Sequence, residues 1–275
     1  MTSYFSSLIP LLAFVGFALY SDKVAAQNTL TIAQEPRAVY QRDEYLKALL
    51  QQALAAANYS AKLKTVIVHP HQQRALIALE DNGVDLYWSM TSPERETLAI
   101  AIKVPLFKGY IGKRALVTKQ ESLSRFATVS TAEQLKGFTA IQGHDWPDTK
   151  ILAHNGLPVR PYANYQAMFN IVLTGRADYF PRSFIEVTSE LKEKNNEGLV
   201  IVPNLYISYP SAFYYFVAKH KPELAKSLEQ GLAIMQKNGS FDQLFAQYFA
   251  DDLKALPFDS ANTVELKLEN PYFAH

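Results

Sequence analysis

An arginine that follows an apolar stretch and several hydroxyl side chains could bind an anion. Residues 83–95 of the chain read GVDLYWSMTSPER. Residues 84–88 predict a buried strand, while Ser92 and Pro93 are favoured at the N-cap and at the first position of a helix. Arg95 would then lie in the first helical turn, where free backbone N–H groups also favour an anion such as a carboxylate. The alternative is a solvated arginine in an ordinary strand-to-helix turn.

A later stretch repeats this pattern. Residues 174–183 read TGRADYFPRS and residues 82–90 read NGVDLYWSM, so each has a glycine followed by a strand pattern with an aspartate near its start. Predicted strands and helices alternate before both stretches, which is typical of a parallel sheet flanked by helices. We therefore expect two similar α/β lobes whose strand ends face a shared cleft.

The spacing of apolar residues predicts the elements that complete these lobes. Amphipathic helices are expected over residues 46–57, 222–236 and 241–249, with their apolar stripes in the core. Residues 212–218 predict a strand that returns the chain to the first lobe. The tail after Pro257 is expected to pack on the first lobe as an extended segment.

Composition excludes several classes of protein. The chain has 275 residues, of which 48% are hydrophobic and 19% charged, as in a folded globular protein. Its formal net charge of +1 lacks the excess of positive charge that is typical of nucleic-acid-binding proteins. The absence of cysteine excludes disulfides, thiolate catalysis and Cys-ligated zinc. Glycine-rich phosphate loops are also absent, so no cofactor is implied.

The first residues predict a targeting segment. Residues 8–19 form an apolar run that is short for a membrane span and is followed by small residues. We expect a signal peptide over residues 1–26, cleaved after Ala26, and export to the periplasm. Because no Lys or Arg precedes the apolar run, an uncleaved anchor is the alternative.

Four segments in order resemble the periplasmic solute-binding proteins of family 3, the polar-amino-acid type that serves ABC importers. They are NGVDLYWSMTSPERETLAIAIKVPLFKG (82–109), LKGFTAIQGHDW (135–146), LTGRADYF (173–180) and KPELAKSLEQGLAIMQKNGSFDQLFAQYF (221–249). The resemblance covers essentially the whole chain after residue 26.

The resemblance implies an α/β fold of two Rossmann-like lobes, the type II periplasmic binding fold. The first lobe would comprise residues 27–115 and 214–275, and the second lobe residues 116–213. Two hinge strands, at about 115–118 and 214–218, would join them. The lobes would close around a small-molecule ligand. A monomer is expected, with an ABC permease or a membrane sensor as its partner.

In the first lobe, the resemblance implies that Arg95 binds the α-carboxylate of the ligand. Ser89, Thr91 and Ser92 are candidate hydroxyl partners, although Ser92 could serve only as the helix cap. The loop after the first strand contributes Arg37 as a further candidate contact.

Two aromatic residues complete the implied site. Tyr40 matches an aromatic that covers the ligand, or else is a residue at the start of a helix. In the second lobe, Asp145 and Trp146 lie in a loop before a helix, where backbone N–H groups would also meet the ligand.

The chain departs from the family pattern at Arg182 and Ser183. Amino-acid binders of this family usually place a carboxylate there to hold the ligand's ammonium group. Either Asp145 supplies that carboxylate, or the ligand is not a standard α-amino acid. Arg182 could also be the structural ion-pair partner of Glu186.

An enzyme on the same fold is the competing hypothesis. Some relatives are dehydratases that use a carboxylate in the cleft as acid or base, and Asp145 and Glu35 would be the candidates here. The sequence shows no paired catalytic group at recognisable spacing, so we expect a binding protein and not an enzyme.

Overall fold

The structure is a computed structural model that describes residue 1 and residues 28–80, 83–258 and 261–273. Apart from Met1, the expected signal peptide lies outside the described residues. Within the described part of the chain, no helix combines the length and the apolar character that a membrane crossing requires.

The described residues form eleven strands and ten α-helices. The strands are β1 (Asn28–Gln34), β2 (Ala61–Ile67), β3 (Leu86–Met90), β4 (Ile100–Ile102), β5 (Lys113–Lys119), β6 (Ala140–Gly143), β7 (Val159–Tyr162), β8 (Phe180–Ser183), β9 (Leu199–Ser208), β10 (Phe213–Val217) and β11 (Val264–Lys267). The helices are α1 (Gln41–Ala56), α2 (Gln72–Ile77), α3 (Pro93–Glu96), α4 (Leu123–Phe126), α5 (Ala132–Leu135), α6 (Pro147–His154), α7 (Tyr165–Leu173), α8 (Val187–Leu191), α9 (Pro222–Asn238) and α10 (Ser240–Lys254). Short 3-10 turns lie at Tyr110–Gly112, Gln120–Ser122 and Lys194–Asn196.

Two main sheets define two lobes. The first sheet has the order β2-β1-β3-β10-β4, in which β1 runs parallel to β2 and β3, and β10 runs antiparallel to β3 and β4. The second sheet has the order β11-β9-β5-β8, and β6 and β7 form a parallel pair beside it. A bridge from Ala140 to Tyr179 connects this pair to the segment before β8. The expected α/β rhythm with two lobes is therefore present.

The predicted amphipathic helices form and pack as core elements. In α1 the residues that share the buried face are Tyr45, Leu46, Leu49, Leu50, Ala53 and Leu54. Helix α9 crosses this face very closely, because a Cβ at Gly231 would lie 1.8 Å from the carbonyl oxygen of Ala53. A glycine is therefore required at this crossing. Helices α9 and α10 both pack on α1 in the first lobe.

The chain crosses between the lobes slightly before each predicted hinge strand. Strand β5 lies wholly in the second sheet and β10 lies wholly in the first, so the expected hinge positions 115–118 and 214–218 are wrong. Each of these two strands is paired on both edges within its own sheet. The chain therefore crosses between the lobes in residues 103–112 and 209–212. The crossings touch where the Tyr209 N–H donates to the Gly112 carbonyl at 3.1 Å. The boundary placed between residues 115 and 116 therefore cuts through β5.

The sequence predicts that the C-terminal tail packs on the first lobe, and this is wrong for β11. It pairs in parallel with β9 and extends the second sheet. An exposed edge of a ten-residue strand is a natural place for another strand to add, and β11 covers it.

Candidate functional site

Arg95 is positioned by the turn that the sequence predicts. Ser92 is the N-cap of α3 and its hydroxyl accepts a hydrogen bond from the Arg95 N–H at 3.3 Å, with Pro93 at the first helical position. The guanidinium turns back to the end of β3. Its Nη1 donates to Ser89 Oγ at 2.7 Å and to the carbonyl of Met90 at 2.8 Å.

Arg95 also reaches the opposite lobe, where its Nη2 donates to the Asp145 carbonyl at 2.8 Å. The side-chain hydrogen-bond acceptors of Arg95 among the described residues are all neutral oxygens. Only 2% of Arg95 is exposed, and burial lowers the pKa of its guanidinium. A buried cation with neutral partners alone is costly, so a carboxylate that reached it would be strongly favoured.

The cleft between the lobes has two compartments. The outer compartment has a volume of about 320 Å³, within the range of small-molecule sites. Its wall comes from both lobes and from the tail, namely Gln73, Ser92, Pro93, Glu94, Arg95, His144, Asp145, Trp146, Pro147, Lys150 and Tyr272. The outer compartment is therefore the space beside Arg95 that could hold a solute.

The inner compartment is almost filled by the protein's own side chains. Its volume is about 30 Å³, which leaves room for only a few water molecules. It is lined by Glu35, Arg37, Tyr40, Arg42, Gln72, Met90, Ile111, Arg114, Trp146, Asp148, Tyr165, Arg182, Glu186, Glu190 and Phe213. A solute of amino-acid size enters this space only if the lobes separate or these side chains move.

Glu186 is the centre of the ion-pair network in the inner compartment. Its carboxylate pairs with Arg182 Nη2 at 3.0 Å, with Arg114 Nη1 at 3.4 Å and with Arg42 Nη1. Arg42 belongs to α1 in the first lobe, so its pair with Glu186 crosses the cleft. Arg114 is also paired with Asp148, at 2.6 Å. The network thus ties the two lobes together in the closed arrangement.

Arg182 lies inside β8, where it pairs with Ala115 of β5. Its side chain donates to Glu190 from Nε at 2.8 Å and from Nη2 at 2.6 Å. The guanidinium also lies 5.2 Å from the centroid of the Trp146 ring. The predicted alternative of an ion pair with Glu186 is confirmed, and Arg182 lines the inner compartment as well.

Trp146 separates the two compartments and lines both. Its ring occupies the space above Gly143, where a Cβ would lie 2.4 Å from Trp146 Cδ2. Glycine at the end of β6 therefore allows Trp146 to lie in the cleft. Asp145, the preceding residue, accepts a hydrogen bond on Oδ2 from the Gln73 N–H at 3.0 Å, which is a second contact between the lobes.

Most of the other predicted site residues have hydrogen-bond partners within the protein, but the buried hydroxyl of Tyr40 has none among the described residues. Arg37 lines the inner compartment and pairs with Asp43 at 2.7 Å, and Tyr40 lines it at the N-cap of α1. Thr91 donates to Glu96 at 2.7 Å, and Ser183 donates to the Tyr110 carbonyl at 3.0 Å. Neither of these two hydroxyls lines a compartment. The Ser89 hydroxyl accepts a hydrogen bond from Arg95 and so holds the guanidinium in place.

Sequence reasoning missed Arg42, Arg114, Asp148 and Glu190. A signal was present at Arg114, which directly precedes the apolar run of residues 115–117 in β5, and only 3% of Arg114 is exposed. Among the described residues, no group of three or more His, Asp or Glu side chains is placed to hold a metal ion.

Acid is expected to weaken the folded state through Glu186. Burial alone would raise the pKa of Glu186, but Arg182, Arg42 and Arg114 outweigh burial and lower it from 4.5 to about 2. Between these values the unfolded chain binds a proton that the folded chain does not, so the stability contributed by Glu186 is lost as pH falls from about 4.5 towards 2. Urea midpoints at pH 7, 4.5 and 3 measure this loss, and Glu186→Gln should show a flatter profile than the parent chain. Identical profiles would contradict the expectation.

Two α/β lobes around an interlobe cleft define a two-lobed binding-protein fold. The family model of the bacterial extracellular solute-binding proteins, family 3, matches residues 44–251. The chain belongs to this family. No curated protein matches the sequence.

Solved structures show the same fold at low identity. An ancestral arginine-binding protein bound to arginine is 19% identical, with a TM-score of 0.60 over 81% of this chain and 99% of that chain. A periplasmic His/Glu/Gln/Arg/opine family-binding protein from Silicibacter pomeroyi, in complex with lysine, is 14% identical, with a TM-score of 0.58 over 82% and 98%. A histidine kinase sensor domain with similarity to periplasmic binding proteins is 17% identical, with a TM-score of 0.58 over 81% and 96%.

Proposed function

We propose that this solute-binding protein captures a small carboxylate-bearing, amino-acid-like ligand between its lobes. The observation that carries the proposal is Arg95, a fully buried guanidinium in the wall of a 320 Å³ interlobe compartment whose acceptors are neutral oxygens. A carboxylate at this position would receive charge-assisted hydrogen bonds and remove the cost of the unpaired buried cation.

Closure of the lobes is the signal that a partner would read. Arg95 and Asp145 already connect the lobes, so a ligand beside them contacts both at once and favours the closed state. We propose that the protein acts in the periplasm after cleavage at Ala26, as a monomer, for an ABC permease or a membrane sensor. The arginine-binding and lysine-bound relatives support an amino-acid-like ligand, and the sensor-domain relative supports the second kind of partner.

A thermal-shift screen of the chain from Gln27 onward tests this function. At a concentration 100-fold above its Kd, a ligand adds about 2.7 kcal/mol to the free energy of unfolding, which raises Tm by about 5–10 °C. The screen uses amino acids and dicarboxylates, with the matching amines lacking a carboxylate as controls. A true ligand is recovered unchanged after incubation; conversion of the ligand would support the enzyme hypothesis instead. A screen in which no carboxylate raises Tm contradicts the proposal.

A further inference from the structure

The C-terminal segment 264–273 lies outside the part of the chain that matches the family model, which ends at residue 251. It is nevertheless built into the fold. Beyond β11, the Glu269 N–H donates to Asn155 Oδ1 at 2.9 Å, and the Glu269 carbonyl accepts from Asn155 Nδ2 at 2.8 Å. Asn155 follows α6, so these bonds fix the segment on the second lobe.

The same segment then crosses towards the first lobe. Asn270 Nδ2 donates to the Pro210 carbonyl at 2.8 Å, in the second crossing between the lobes. Phe273 packs against a buried cluster of the first lobe that includes Ala75 and Leu76. Tyr272, between these two contacts, lies in the wall of the outer compartment. The tail therefore closes one side of the space beside Arg95.

The wall carries two cations, Arg95 and Lys150, and two carboxylates, Glu94 and Asp145, of which only Lys150 and Glu94 pair with each other. Lys150 Nζ lies 2.9 Å from Glu94 Oε1. The Asp145 carboxylate accepts from the Gln73 N–H at 3.0 Å. Among the described residues, a solute in the outer compartment would therefore meet one cation without a carboxylate partner, Arg95, and one carboxylate that is hydrogen-bonded to a neutral N–H, Asp145. These two charges suit the carboxylate and the ammonium group of one amino acid, and they leave no further unpaired charge in the wall for a charged side chain.

The rest of the wall is largely aromatic and apolar. Trp146 and Tyr272 present rings, and Pro93 and Pro147 present pyrrolidine surfaces. Such a wall favours an apolar or aromatic group, because rings pack well on one another and a charged group would lose its hydration there.

We infer that Tyr272 is a ligand-contacting residue, and that it selects a carboxylate whose side chain is aromatic or aliphatic. This inference rests on the proposed function, since it takes the ligand's carboxylate to lie at Arg95. The carboxylate lies at Arg95, and the side chain lies between Trp146 and Tyr272. Specificity for the side chain thus comes partly from a segment beyond the family match.

Calorimetric titration with L-phenylalanine and L-glutamate tests this selection. The unchanged protein is expected to bind L-phenylalanine at least about tenfold more tightly than L-glutamate. Tyr272→Ala should weaken binding of L-phenylalanine about tenfold, whereas Tyr272→Phe, which keeps the ring, should bind it nearly as well as the parent chain.

Lys267→Ala is the matched control, because Lys267 is exposed on β11 in the same segment and does not line the compartment. Equal binding of both amino acids, or an unchanged affinity of Tyr272→Ala, overturns the inference and leaves the proposed function standing. If L-phenylalanine binds equally well to Arg95→Ala, the assignment of the carboxylate to Arg95 fails, and the inference fails with it. If neither amino acid binds the parent chain, the selection of aromatic carboxylates is overturned, while the wider screen still decides the proposed function.

Discussion

Arg95→Ala is expected to weaken the binding of every carboxylate ligand strongly. Removing one partner of a buried, hydrogen-bonded charge pair costs about 2–5 kcal/mol, which corresponds to a loss of affinity of about 30- to 5000-fold. Arg95→Lys should restore little of this affinity, because a point-charge ammonium cannot reproduce the planar donors that reach Ser89, Met90 and Asp145 together.

Calorimetric titration of the parent chain and the variant with the ligand found by the screen gives this loss. Arg160→Ala is the control, because Arg160 is an exposed arginine of the second lobe whose Nη1 bonds only the Arg176 carbonyl among the described residues. Arg95→Ala leaves the buried acceptors at Ser89, Met90 and Asp145 without this donor, which lowers stability, while removal of a buried cation that has no carboxylate partner offsets part of that loss. Unchanged affinity in Arg95→Ala would refute the assignment of Arg95 to the ligand.

The local part of the architecture could be predicted from the sequence. The N-cap at Ser92 depends on residues that are close to one another in the chain, and it forms as expected. The spacing of apolar residues predicts helices α9 and α10, because it identifies the face of each helix that packs on the core. The position of Arg95 in its helical turn needed no long-range information.

The pairing of distant charges could not be predicted. Arg42 and Glu186 are separated by 144 positions in the chain, and only the closure of two lobes brings them together. The position of Arg182 within β8 also depends on the fold, because the neighbouring Pro181 is tolerated in a strand only at a sheet edge, which is where β8 lies. The position of the tail could not be predicted either, because the sequence of a short strand does not indicate which sheet edge it pairs with.

Because Glu186 pairs with three buried arginines, its loss should weaken the fold strongly. Glu186→Gln keeps the shape of the side chain but leaves Arg182, Arg114 and Arg42 with fewer buried counter-charges. Breaking a buried ion pair by removing one partner costs about 3–5 kcal/mol, so Tm should fall by about 6–20 °C. Glu133→Gln is the control, because Glu133 pairs with Lys136 at an exposed site, and little change is expected there.

A double-mutant cycle then separates the contact between the lobes from the rest of the network. Arg42→Met and Glu186→Gln should each lower the urea midpoint, and the double variant should lose less than the two single losses added together. A coupling of about 0.5–3 kcal/mol is expected for a direct contact, and additive losses would mean that the pair across the cleft contributes nothing to stability.

Because this pair occupies the inner compartment, the coupling also measures how strongly the protein holds its own cleft closed. A ligand that must separate the lobes to enter works against that free energy, so Arg42→Met should open more readily and bind faster than the parent chain, which stopped-flow mixing would detect.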